Sequence, residues 1–79
     1  MENIIELIKL KGGQSSAVYS VNEFDKKMNR RLIELGFVKN EKIEVIKNLK
    51  KSKSMLIAIR GYVLSLDYII AEKVLVWKV

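Results

Sequence analysis

The stretch IAIRGYVLSL, residues 57–66, decides the fold. Ile57 and Ile59 alternate with smaller or charged neighbours, the pattern of a strand with one inward face. Beyond Gly61, the side chains of Tyr62, Leu64 and Leu66 share a face in the same way. A glycine between two strand patterns marks a bulge or a sharp bend, and small barrels turn their corners at such bends.

The same chemistry extends outward. Residues 42–47 alternate, with Ile43 and Val45 on one face. Residues 48–54 (NLKKSKS) are polar and read as an exposed hairpin loop before the strand at 55–60. Downstream, Asp67 can cap a single helical turn reaching Ala71. Residues 74–79 close the chain as a strand, with Val74 and Val76 on one face and Leu75 and Trp77 on the other. Upstream, residues 16–21 read as a strand because Val18 and Tyr19 favour extended backbone. Ile4, Ile5, Leu7, Ile8 and Leu10 predict one turn or a short strand that plugs an end of the core, stopped by Gly12 and Gly13.

One helix interrupts this pattern. The spacing of Phe24, Met28, Leu32 and Leu35 predicts an apolar stripe on a helix over 22–35. Asn22 is the expected N-cap, with Glu23 and Asp25 in the first turn. Glu23 with Lys27 and Arg30 with Glu34 are spaced as favourable ion pairs. Gly36 is placed to end the helix in the left-handed conformation, with Phe37 folding back on Leu32. Strand, helix, then about four short strands in 79 residues cannot build two stacked sheets. The expectation is a single domain over 1–79, mainly β with one main α-helix: a small, strongly bent β-barrel of SH3-like size.

Composition narrows the chemistry. Cys and His are both absent, which excludes disulfides, thiolate catalysis and the commonest general base. Ser15, Ser16, Ser52 and Ser54 have no histidine to activate them, and Glu41 and Glu44 read as solvated strand-edge carboxylates. Gly12 and Gly13 lack the GK[ST] of a phosphate loop. Glu34 or Asp67 alone makes a poor site for Fe(II), so neither a metal nor a cofactor is assigned. The N-terminus lacks the pattern of a secretion signal, and the cytoplasm is the expected compartment.

Formal net charge is +6, and residues 26–53 alone hold eight Lys and two Arg against three Glu. A basic region of this kind suits an anionic surface or an acidic partner. Its candidate contact residues are Lys26, Lys27, Arg30 and Arg31 on the helix, and Lys50, Lys51 and Lys53 in the loop. Trp77, out of phase with Val74 and Val76, joins them as a partner-contact candidate if exposed. Tyr19, Tyr62, Tyr68 and Trp77 are scattered along the chain, and most read as core or core-rim residues.

Three segments together resemble the FeoA family. They are RRLIELGF (30–37), IAIRGYVLSL (57–66) and IIAEKVLVW (69–77), with Leu32, Leu35, Gly36, Gly61 and Ala71 as the motif positions. The opening ELIKLKGGQSSAVYSV also fits, so the resemblance covers the whole chain. Where the family usually carries Pro-Gly after the helix, this chain has Lys39-Asn40, and Asn tolerates a left-handed turn. Similar domains occur fused to metal-dependent repressors, but this chain has no room for a helix-turn-helix and lacks the His and Cys of such metal sites.

The resemblance implies an SH3-like domain without enzymatic activity that serves bacterial ferrous-iron uptake. It implies protein-protein contact with the GTP-binding membrane transporter FeoB, which would hold the chain at the inner membrane through its partner. At family level it also carries transition-metal binding, for which no residue here is assigned. An open strand edge would support a homo-oligomer. The alternative from another class is a small basic β-barrel that binds nucleic acid.

Overall fold

The computed structural model describes residues 3–21 and 25–78. Its main helix, α1, spans Lys26–Leu35 and ends as its chemistry requires. Gly36 takes φ 111°, where an L side chain is strained. Its N–H donates to the Ile33 carbonyl at 3.0 Å, and the Phe37 N–H donates to the Leu32 carbonyl at 2.9 Å. That reciprocal pair is a Schellman ending, and Leu32 and Phe37 are both buried beneath it.

The start of α1 differs from expectation. Asp25 is the N-cap and its carboxylate accepts from the Met28 N–H at 2.8 Å, so the helix begins at Lys26. Asp25 thus caps the first turn instead of lying in it. The expected cap Asn22, and with it Glu23 and Phe24, lies outside the described residues. The Arg30–Glu34 pair does not form; among the described residues the one ion pair joins Arg60 and Glu41.

Six strands form one antiparallel sheet: β1 (Ile4–Glu6), β2 (Ser15–Val21), β3 (Lys42–Leu49), β4 (Ser54–Ile59), β5 (Tyr62–Asp67) and β6 (Val74–Trp77). Their order is β1-β6-β2-β3-β4-β5. The first ten residues, expected to form one turn or a short strand, form both: the short strand β1 and a 3-10 turn over Leu7–Lys9. Leu7 and Leu10 are buried and seal one end of the core.

Ile43, Val45, Met55, Ile57, Ile59, Val74 and Val76 fill the inner face. Each such side chain stabilises the fold by about 1.5–3 kcal/mol. A bulge at Ile46 resets the alternation of β3, which is why Lys47, two residues after the buried Val45, is exposed while Asn48 is half-buried. A second irregularity falls at Tyr19 in β2.

Of the bulge and the sharp bend expected at Gly61, the structure has the bend: Ile59 pairs with Tyr62, so Arg60 (φ 52°) and Gly61 (φ 82°) form a two-residue hairpin turn. Three expectations need correction. Tyr62, expected inward, is exposed because it stands at that turn, and its hydroxyl donates to the Leu35 carbonyl. The polar loop is shorter than 48–54, since Leu49 pairs with Ser54 and leaves only residues 50–53 unpaired. Asp67 does precede α2 (Tyr68–Ala71), yet its side chain makes no capping bond.

The sheet is strongly bent but does not close, because β1 and β5 remain edges. α2 packs against β4 and β5, the 3-10 turn against β6, and the two touch one another. Asn48 holds this junction. Its Nδ2 donates to the Ile8 carbonyl at 3.1 Å and the Leu10 carbonyl at 2.8 Å, and the Tyr68 hydroxyl donates to its Oδ1.

Candidate functional site

The buried stripe of α1 sets where its cations go. Leu32 faces the core with Met28 and Leu35 beside it, so Lys26, Lys27, Arg30 and Arg31 all stand exposed on the outer side. Lys27 and Arg31 border a shallow depression of about 180 Å³ with Asp25 and Met28. Burying an uncompensated cation would be costly, so this amphipathic pattern leaves the helix little choice of orientation.

Lys50, Lys51 and Lys53 are exposed at the tip of the β3–β4 hairpin. Lys53 takes φ 54°, and its carbonyl accepts from the Tyr68 N–H at 2.9 Å, which ties the tip to α2. The Ser52 and Ser54 hydroxyls lie 3.0 Å apart beneath it. The C-terminal end of α1 lies elsewhere, against the Arg60-Gly61 turn, through the Tyr62–Leu35 bond and the Arg60 side chain packed over Gly36. Tip and turn are opposite ends of β4, about 20 Å apart at roughly 3.3 Å per residue. The lysine tip and the end of α1 therefore form separate surfaces.

Trp77 is half-buried. Its indole meets Tyr19 edge-to-face, with ring centroids 5.0 Å apart and planes at 80°. Its Nε1 donates to Asn40 Oδ1 at 3.4 Å, and the Ser16 hydroxyl donates to its carbonyl. The ammonium of Lys39 lies 5.1 Å from the Tyr19 ring centroid, a cation–π contact. These aromatics are thus not all scattered. The pairing of β2 with β6 brings Tyr19 and Trp77 together, and only knowledge of that pairing could have found it. Asn40 takes φ 71°, the left-handed turn its side chain tolerates.

Among the described residues no group of three or more acidic residues is placed to hold a metal ion. Glu41 is paired with Arg60 at 3.3 Å. No helix among the described residues is long and apolar enough to cross a membrane.

The architecture matches solved structures closely. A manganese-dependent transcriptional repressor superposes with a TM-score of 0.87 at 18% identity, over 96% of this chain. The chain spans only 37% of that repressor's length, and at this identity the likeness is one of fold. FeoA protein from Chlorobium tepidum gives a TM-score of 0.83 at 27% identity, covering 95% of this chain and 70% of the other. FeoA from Stenotrophomonas maltophilia gives 0.78 at 28% identity, covering 91% of this chain and 88% of its own. That protein was solved with zinc, described as a procaryotic SH3 domain protein, and put forward as a ferrous iron transport activating factor. The mainly β, SH3-like class read from the sequence therefore stands, as an open sheet. A comparison with curated proteins gives no match. The model of the FeoA domain matches residues 5–78, nearly end to end, and the chain belongs to the FeoA family.

Proposed function

We propose that this chain is a regulatory accessory of bacterial ferrous-iron uptake that acts by contact with the transporter FeoB at the cytoplasmic face of the inner membrane. The observation that carries this reading is the FeoA-domain match over residues 5–78. The exposed chemistry is consistent with it. Lys26, Lys27, Arg30 and Arg31 form one cationic surface, and Lys50, Lys51 and Lys53 another, each suited to acidic patches on a partner. Trp77 is a rim residue that would add apolar contact beside Lys39.

Nucleic-acid binding is the weaker reading. It needs open ring faces for base stacking. Lys39 covers the Tyr19 ring, and Trp77 and Tyr19 spend further ring surface on each other.

The test is retention of detergent-solubilised transporter on the immobilised chain. Retention is expected, with loss when the seven helix and loop cations are reversed to Glu. Undiminished retention by a folded reversal variant would remove the cationic surfaces from the proposal. No retention by the unaltered chain would remove the partner.

A further inference from the structure

We propose that the cavity between the 3-10 turn and the end of β3 binds an acidic peptide segment that carries an apolar side chain. The cavity measures about 520 Å³, within the size range of ligand pockets. Ile8 and Tyr68, both half-buried, contribute apolar wall with the buried Leu10 behind it, and Lys9, Lys11 and Lys50 stand around it. Among the described residues no carboxylate lines it.

Two features select the occupant. Asn48, the polar residue of the wall, has both Nδ2 hydrogens and its Oδ1 engaged by Ile8, Leu10 and Tyr68. Neutral polar recognition by its side chain is therefore spent inside the protein, and the three ammonium groups carry the attraction. A small inorganic anion would satisfy those charges but leave the apolar wall in water. A peptide alternating carboxylates with an apolar residue covers both. The concave shape also suits a chain segment better than a flat lipid surface.

Of these three lysines, only Lys50 belongs to the basic region of residues 26–53; Lys9 and Lys11 come from the acidic first third of the sequence. The fold assembles this site by laying residues 8–12 beside β3, which Asn48 and the Gly13 N–H to Val45 carbonyl bond (2.7 Å) hold in place. The inference goes beyond the transporter contact, and its assay needs no transporter, so each can fail alone.

The probe is a fluorescein-labelled hexapeptide of alternating Glu and Leu, titrated with the full chain and followed by anisotropy. A Gln-Leu hexapeptide is the control. The Glu-Leu peptide should bind, and the Gln-Leu peptide should bind about tenfold more weakly or worse. The triple variant Lys9→Glu, Lys11→Glu, Lys50→Glu should lose about tenfold or more, while Lys26→Glu with Lys27→Glu should leave affinity unchanged. Amide shifts on the unaltered protein should concentrate at residues 8–12, Asn48 and Tyr68, which decides the question even if the triple variant does not fold. Equal binding of the two peptides, indifference to the triple reversal, or shifts confined to another surface would overturn the proposal. Displacement of the peptide by phosphatidylglycerol vesicles at this same site would overturn it in favour of a lipid headgroup.

Discussion

Replacing Gly36 with Ala tests the ending of α1 on which the packing of Leu32 and Phe37 depends. At φ 111° the new side chain lies in a region that costs an L residue about 1–2 kcal/mol. Its Cβ would also sit 2.9 Å from Arg60 Cδ and 3.0 Å from Arg60 Nε. Arg60 is flexible and exposed, so it can swing away, giving up its 3.3 Å contact with Glu41. That exposed pair is worth less than about 0.5 kcal/mol. Against this, Ala restricts the unfolded chain and returns about 0.4–1 kcal/mol. The net expectation is a loss of about 1 kcal/mol, or roughly 4–8 °C in Tm for a domain of this size. Thermal unfolding followed by circular dichroism measures it. Gly61→Ala is the internal control, because φ is 82° there but nothing lies within 4 Å of the added carbon. It should show the backbone cost alone, and combining Gly36→Ala with Arg60→Ala should remove the steric part. A Gly36→Ala variant as stable as the parent would refute the reasoning.

Asn48→Ala removes three hydrogen bonds at the junction of α2, β3 and the 3-10 turn, and should cost about 2–3 kcal/mol in urea unfolding. Asn48→Asp should also destabilise, since a carboxylate cannot donate to the Ile8 and Leu10 carbonyls; parity with the parent would contradict the assignment. Asp25→Ala deletes the N-cap bond to Met28 and should cost about 0.5–2 kcal/mol, with faster amide exchange in the first turn of α1 as the specific readout. Leu32→Ala opens the core beneath α1 and should cost about 2–5 kcal/mol by denaturant titration. Glu41→Gln should change stability by less than about 0.5 kcal/mol, because its one ion pair among the described residues is with a side chain 45% exposed.

What the sequence disclosed follows from how local each cause is. The ending of α1 was legible because Gly36, Phe37 and Leu32 lie within one turn of each other. The inward faces of β3 and β4 were legible because alternation is a nearest-neighbour property. Asn48 was not, because it sits in a lysine-rich run that looks like a loop, and its partners Ile8, Leu10 and Tyr68 come from distant segments. The open sheet was missed for the same reason: closure depends on whether β1 can reach β5, and no short window reports that distance. For the candidate surfaces, amphipathicity put the α1 cations outside, while the grouping of Lys9 and Lys11 with Lys50 exists only in three dimensions.

The placement of β6 between β1 and β2 carries a consequence for how this chain is made. β6 is made after the other five strands, so until Trp77 has emerged β1 has no strand beside it and β2 has only β3. Nascent chains halted earlier would hold Ile4, Ile5 and Val18 without their cover, and the half of the sheet around β1 should assemble only once β6 has emerged.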